Sequence, residues 1–506
     1  MVLGTGSGVG KSFIAAGLCR VLRNADIRVA PFKAQNMSNN SYVTREGGEM
    51  GRAQAVQAEC AKIEPNVHMN PVLLKPAADN SSQVVVQGEV IGTMPAIEYY
   101  GLRTEIFDAI QDSYRRLSEA YEVIVIEGAG SPAEINLKAL DMVNFRVAEM
   151  ADAQCLLVGD IDRGGVFAWL LGTMALLDDS ERDRITGLII NKFRGDLGLL
   201  EPGLAMLENL CGKKVLGVLP YEMDLWIEEE DAVVLEEGGA QPASLDCLDI
   251  AVILLPRISN ATDFQILAKE SGVSVRMVRR LAEFGDPDLV ILPGTKATSA
   301  DLNYLKRCGL GKRIQDYARS GGRVLGICGG FQMLGEVIED GEGVESERKY
   351  EFGLGLLPVH TRFFPEKVLR QVEGRVRSEI FSWPVESNFQ GYEIHMGQTV
   401  VSEGCRSLFE VSDSRRGTWR PEGIIDSSGR ILGTYLHGLF DEAAFRVGFL
   451  RALSKSVGKP EPSSSASISS IESVKEKNYN RLGELLQKHI NLNFLEPWLK
   501  LSSPLR

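Results

Sequence analysis

What the 506-residue sequence lacks narrows it first. Its eight cysteines, at positions 19, 60, 155, 211, 247, 308, 328 and 405, include no C-x-x-C pair. That argues against a disulfide framework and a zinc site, and fits a reducing compartment. Apolar runs fall short of the ~18 residues that a membrane span requires. No secretory signal is visible, because the apolar start runs straight into a glycine-rich loop, so a cytoplasmic protein with no membrane partner is expected. Positive charge is in deficit, 55 Lys and Arg against 68 Asp and Glu, for a net charge of −13. This argues against general affinity for nucleic acid or anionic membrane, and an anionic substrate must meet a local positive pocket instead. Histidine is scarce, with only His68, His360, His395, His437 and His489, so histidine chemistry has few candidates.

What is present begins with Gly4-Thr5-Gly6-Ser7-Gly8-Val9-Gly10-Lys11-Ser12, between the apolar run Met1-Val2-Leu3 and the helix-like spacing of residues 13–22. Strand, glycine loop and helix form the setting of a phosphate-binding loop. The glycines allow successive N–H groups to face one anion, and the helix N-terminus adds its positive end. A strict loop would have glycine at position 5, where this chain has Thr5. Thr5, Gly8, Gly10, Lys11 and Ser12 are the candidate ATP contacts, with the Ser12 hydroxyl available to Mg²⁺. The opening strand has only three residues before the loop, short for a strand.

Through residue 230, short apolar runs alternate with amphipathic stretches, the pattern of a parallel sheet with crossover helices. Strands are expected at 29–32, 123–127, 155–159, 187–191 and 215–218. Polar clusters stand at their C-terminal ends, where open α/β sheets bind ligands. Lys33 opens the run Lys33-Ala34-Gln35-Asn36-Met37-Ser38-Asn39-Asn40 and is placed to reach a phosphate or a substrate carboxylate, with Gln35 and Asn36 beside it. Glu127 follows four apolar strand residues and precedes Gly128-Ala129-Gly130, a position suited to organising Mg²⁺. Asp160 is a second metal candidate, with Asp162 and Arg163 forming either part of a site or a loop-shaping ion pair. Asn191-Lys192 meets a purine base or simply flanks the sheet.

The acidic, glycine-containing stretch 228–244 marks a break, and apolar periodicity restarts at residue 249. A second α/β domain follows, with strands expected at 249–255, 288–292, 322–327 and 431–436. In Val324-Leu325-Gly326-Ile327-Cys328-Gly329-Gly330-Phe331-Gln332, a strand runs into a cysteine between glycines and a helix starts at once. This is a nucleophile elbow, in which the turn holds the thiol out at a helix N-terminus whose dipole favours negative charge. A thiolate attacking an amide needs a proton partner and oxyanion donors. His437, at the end of an expected strand and before Gly438, is the best partner, with His395 in Gly391–Gly397 as runner-up or substrate-positioning group. The Gly294 and Gly329 N–H groups are candidate oxyanion donors.

These segments, with Ala30–Met37, Met69–Pro76, Glu127–Glu134, Asp160–Val166, Leu292–Thr298, Gly391–Gly397 and Tyr435–Phe440, run in order across nearly the whole chain. In them the sequence resembles the glutamine-hydrolysing cobyric acid synthase family. The resemblance implies an α/β fold with an N-terminal P-loop domain similar to dethiobiotin synthetase and a C-terminal class I glutamine amidotransferase-like domain. It further implies that Cys328 and His437 are nucleophile and histidine, that Gln332 and His395 contact glutamine, and that ATP and Mg²⁺ serve amidation of a corrinoid polycarboxylate. Residues 1–230 then form the synthetase domain, 231–247 a linker, 248–452 the glutaminase domain, 453–475 a polar linker and 476–506 a terminal helix. The usual triad glutaminase carries an acid two residues after the histidine, where this chain has Leu439, so no third triad member is named. Cobyrinic acid a,c-diamide synthase and CTP synthase share the two-domain plan. A nucleotide-switched binding protein with an inactive glutaminase domain is the alternative outside catalysis. Oligomeric state is not legible.

Overall fold

The computed structural model describes the chain apart from residues 79, 223, 229–246, 347, 403–404, 414–416, 463–470 and 500–506. The expected linker 231–247 lies outside the described residues except for Cys247, whereas of the expected linker 453–475 only 463–470 do, its two ends belonging to the helices Ala443–Val457 and Ile471–His489.

The first strand, Val2–Gly4, is short but central. It pairs in parallel with Cys155–Asp160, which continues to Ile185–Phe193 and Lys214–Pro220. On its other side a parallel bridge from Val2 to Glu127 joins the pair Val123–Ile126 and Val29–Phe32. Val2 and Leu3 are buried, so burial on both faces supports a strand with few ladder bonds. The helix Lys11–Asn24 packs through Ile14, Leu18, Val21 and Leu22, the i, i+4, i+7, i+8 stripe of an amphipathic helix. Between residues 35 and 95 the chain leaves this layer for a small mixed sheet, Gln35–Met37, Val72–Ala78, Ser81–Val86 and Glu89–Pro95.

The second domain is built on parallel strands in the order Val273–Val278, Leu248–Ile253, Leu289–Leu292, Val324–Ile327 and Ile431–Thr434. An antiparallel extension follows through Trp419–Ile425 and Arg406–Asp413 to the long hairpin of Val359–Val376 with Asn388–Val401. The expected strand at 431–436 ends at Thr434. Leu436–His437 instead pairs antiparallel with Tyr392 and Glu393 of the hairpin, which sets His437 against a different wall of the domain.

The domains meet directly. Asn260 Oδ1 accepts from Ser41 N at 3.1 Å, Asn40 Oδ1 accepts from Ala261 N at 3.3 Å, and Gln371 donates to the Val43 carbonyl at 2.8 Å. The terminal helix runs from Ile471 to His489, starting five residues before the expected 476 and ending well before 506, and lies on the first helix of the N-terminal domain. Gly17 permits that approach, since a Cβ there would come within 2.6 Å of Leu486. No helix among the described residues is long and apolar enough to cross a membrane.

Candidate active site

The nucleotide loop closes as its glycines require. Gly8 and Gly10 take φ values of 71° and 100°, where a side chain would be strained. Asn191 is buried and donates to the Val9 carbonyl at 3.0 Å, and Lys192 donates to the Gly8 carbonyl at 2.8 Å while pairing with Asp160 at 3.0 Å. The Asn-Lys pair therefore braces the loop from the neighbouring strand end. Lys11 Nζ folds onto the Gly6 and Gly130 carbonyls at 2.7 and 2.9 Å. Thr5 Oγ1 is buried without a hydrogen-bond partner among the described residues, an orphan polar atom that a phosphate oxygen would satisfy.

Glu127 is the hub beneath the loop. Its Oε1 accepts from Ser12 Oγ at 2.8 Å and pairs with Lys33 Nζ at 2.9 Å, and its Oε2 accepts from Gln57 at 2.5 Å. Burial would raise its pKa, but Lys33, Ser12 and Gln57 outweigh it and hold the carboxyl below its usual range. Lys33 is thus buried on Glu127 rather than presented to open space. Asn36 is likewise buried, donating to Gln54 at 3.0 Å, and Gln35 accepts from the Tyr99 hydroxyl. Asp160 is buried beside the loop, while Asp162 pairs with Arg194 at 3.0 Å. Among the described residues no three His, Cys, Asp or Glu side chains cluster as metal ligands. A Mg²⁺ at Ser12 and Glu127 would therefore draw on phosphate oxygens and water.

In the second domain, Val324–Ile327 delivers Cys328 at φ 52°, ψ −111°, and helix Gly329–Leu334 begins at the next residue. A strained φ on a residue with a side chain persists only where its surroundings enforce it. Here the enforcement is close packing, since a Cβ on Gly330 would come within 1.9 Å of the Leu292 carbonyl oxygen. Gly329 opens the helix, so its N–H has no intrahelical acceptor. Gly294 lies against the same centre, where a Cβ would fall 3.2 Å from His437 Cε1.

The third group is Asp263, which sequence reasoning missed. Its Oδ2 lies 2.6 Å from His437 Nδ1, and its Oδ1 accepts from Gly438 N at 2.9 Å. It sits in a short 3₁₀ turn, Ala261–Phe264, and reaches the histidine across 174 residues of sequence. Burial would lower the His437 pKa, but the Asp263 carboxylate and the nearby Cys328 sulfur raise it to about 10. Nε2, the remaining ring nitrogen, is buried without a hydrogen-bond partner among the described residues. The Cys328 thiol itself faces the Ile394 carbonyl at 3.6 Å.

His395 stacks on Tyr435 with ring centroids 3.8 Å apart and pairs through Nδ1 with the Gly397 carbonyl at 3.1 Å. Burial pushes its pKa down to about 3, so it stays neutral. Gln332 is fully engaged, donating to the Met396 carbonyl and the Tyr435 hydroxyl and accepting from Thr298 Oγ1 at 3.0 Å. Both side chains line the pocket over Cys328. One wall of that pocket comes from the other domain, because Lys75 lines it.

A P-loop domain joined to a cysteine-elbow domain defines the class: a nucleotide-dependent glutamine amidotransferase. Family models bear this out, residues 1–233 matching the CobQ/CobB/MinD/ParA nucleotide binding domain and 249–445 the CobB/CobQ-like glutamine amidotransferase domain. A protein of Sorangium cellulosum named cobyric acid synthase is 49% identical over 98% of this chain and 97% of its own. Proteins of the same name from Dehalococcoides mccartyi and Clostridium tetani are 47% and 44% identical, each covering 97% or more of this chain and 97% of their own. The chain belongs to the cobyric acid synthase family. It is an amide-forming ligase that couples glutamine hydrolysis to ATP use.

Proposed function

We propose that the chain amidates the b, d, e and g side-chain carboxylates of adenosylcobyrinic acid a,c-diamide to give adenosylcobyric acid, drawing ammonia from glutamine. The observation that carries the glutamine half is the grouping of Cys328, His437 and Asp263, whose cysteine lines a pocket walled partly by the synthetase domain. The acceptor rests on the name shared by the relatives.

In this reading Cys328 attacks the side-chain amide of glutamine, and the Gly329 and Gly294 N–H groups take up charge on the tetrahedral oxygen. The His437 imidazolium gives its proton to the departing ammonia, leaving a thioester. Neutral imidazole then takes a proton from the water that releases glutamate. Asp263 keeps the ring in one orientation and stabilises its charged form. In the first domain, ATP with Mg²⁺ supplies the phosphoryl group that turns a carboxylate into an electrophilic acyl phosphate. Thr5, Gly8, Gly10 and Lys11 would bind the phosphates, and Ser12, Glu127 and Asp160 would organise the metal. Lys33 neutralises Glu127, and with Gln35 and Asn36 it borders the region where the acceptor would lie.

The test is glutamate release with ATP and the corrinoid each supplied or withheld, in wild type and Cys328→Ser. Cysteine-dependent release that rises with both additions is expected, together with ammonia-driven amidation surviving in Cys328→Ser. Stimulation by a less amidated corrinoid but not by the a,c-diamide would replace the acceptor. Release indifferent to any corrinoid would discard it.

A further inference from the structure

Glutamine brings a charged headgroup, an α-ammonium and an α-carboxylate, into whatever pocket holds its amide at Cys328. Burying both charges is costly unless each meets an opposite charge. Four ionisable side chains besides the cysteine and histidine line this pocket: Lys75, Lys367, Lys296 and Glu345. Two of them are already spoken for. Glu49, buried in the synthetase domain, lies 2.6 Å from Lys75 Nζ and 2.5 Å from Lys367 Nζ.

Lys296 and Glu345 remain. The Lys296 ammonium makes no hydrogen bond or ion pair with any described residue; the residue is engaged only through its backbone N–H, which donates to the Arg257 carbonyl at 3.0 Å. Glu345 accepts from Thr298, whose backbone N–H lies 2.9 Å from Oε2, and has no cationic partner within ion-pair distance among the described residues. Each acts electrostatically on the other, yet no ion pair joins them, so they stand apart as opposite charges facing one cavity. Burial pushes the Lys296 ammonium down and the Glu345 carboxyl up to about 7, as expected for charges lacking a full counter-charge. Lys296 also sits two residues after Gly294, in the turn that presents the candidate oxyanion donor. Headgroup recognition and amide placement would then share one short segment.

We infer that Lys296 and Glu345 form a zwitterion clamp, Lys296 receiving the α-carboxylate of glutamine and Glu345 its α-ammonium. The clamp rests on the reading of Cys328 as a glutaminase nucleophile and extends it from the reacting amide to substrate selection. Two opposite charges at fixed separation reject amides that lack either group, because one buried charge would be left unpaired.

Ammonia release by the full chain from three amides tests this: L-glutamine, glutaramate, which lacks the α-amine, and 4-aminobutanamide, which lacks the α-carboxylate. Lys296→Met is expected to raise the glutamine KM by about 10- to 100-fold, the range for losing one hydrogen bond to a charged group, with the loss falling on KM rather than kcat. It should leave kcat/KM for 4-aminobutanamide within about threefold, and Glu345→Gln should do the same for glutaramate. Lys296→Arg, which keeps the charge, should recover most of the glutamine KM and thereby exclude a folding defect. Equal losses on all three amides, or an unchanged glutamine KM, overturn the clamp while leaving the glutaminase standing. Wild-type protein that releases no ammonia from glutamine under any condition overturns both.

Discussion

With Asp263 on Nδ1, the His437 ring leaves only Nε2 for the Cys328 side of the pocket. Asp263→Asn keeps the shape but removes the charge that holds the imidazolium, and kcat for glutamine hydrolysis should fall by about 10²- to 10⁴-fold. The pH profile follows from the same contact. Activity that needs the imidazolium should persist to high pH and fall near pH 10 in wild type, with the falling limb displaced downward in Asp263→Asn. The stability sign is equally defined. The folded pKa, about 10, exceeds the ordinary histidine value of 6.5, so the pair's contribution is complete below about pH 6.5 and lost as pH climbs through 10. Melting temperature across that range, compared between wild type and Asp263→Asn, checks it.

The same residues show where sequence reasoning reaches. Cys328 and the phosphate loop were legible because their chemistry lies in consecutive residues, strand to turn to helix. Asp263 was not, because its partner is 174 residues away and Asn260-Ala261-Thr262-Asp263-Phe264 carries no motif. Lys33 was visible as a strand-end lysine, but its pairing with Glu127 depends on the parallel register of Val29–Phe32 with Val123–Ile126, which no local pattern encodes.

Among the elements, the parallel strands buried on both faces were readable as apolar runs. The antiparallel strands 72–95 and 359–401 are harder to read, as in Glu89-Val90-Ile91-Gly92-Thr93-Met94, where burial alternates residue by residue but the adjacent apolar Val90 and Ile91 break the alternation in sequence. Their half-exposed faces dilute the apolar signal. The terminal helix yields a sharper expectation. Leu486 is fully buried against Gly17 and the first helix, so Leu486→Ala should cost about 2–5 kcal/mol. Denaturant unfolding would measure this, and a midpoint within error of wild type would mean that the helix is not docked there in solution.

Across the whole molecule, Glu49 is the contact that most directly joins the two halves. Its two lysine partners come from different domains, Lys75 from the synthetase side and Lys367 from the glutaminase hairpin, and Lys75 also donates to Ser41 Oγ at 2.9 Å. Ser41 and Asn40 in turn hold the Asn260–Ala261 segment, two residues from Asp263. Removing the carboxylate leaves two buried ammonium groups facing each other. Glu49→Gln is therefore expected to reduce the stimulation of glutaminase activity by ATP and acceptor severalfold. It should also destabilise the protein by about 3–5 kcal/mol. The ratio of stimulated to basal glutamate release is the measurement, and an unchanged ratio would rule out this bridge as the coupling contact.

The borrowed wall also limits how this protein can be taken apart. Anyone building chimeras would cut between the two family-model matches, in the stretch 234–248, and expect two transferable modules. Such a cut strips Lys75 from the glutamine pocket and strands Lys367 without its carboxylate. The half that looks self-sufficient in sequence would leave with an open-sided pocket. A graft onto another synthetase would succeed only if the recipient supplies an acid and a lysine at the places held here by Glu49 and Lys75. Recombination within such enzymes is then constrained by a three-residue password at the seam rather than by the fold of either part.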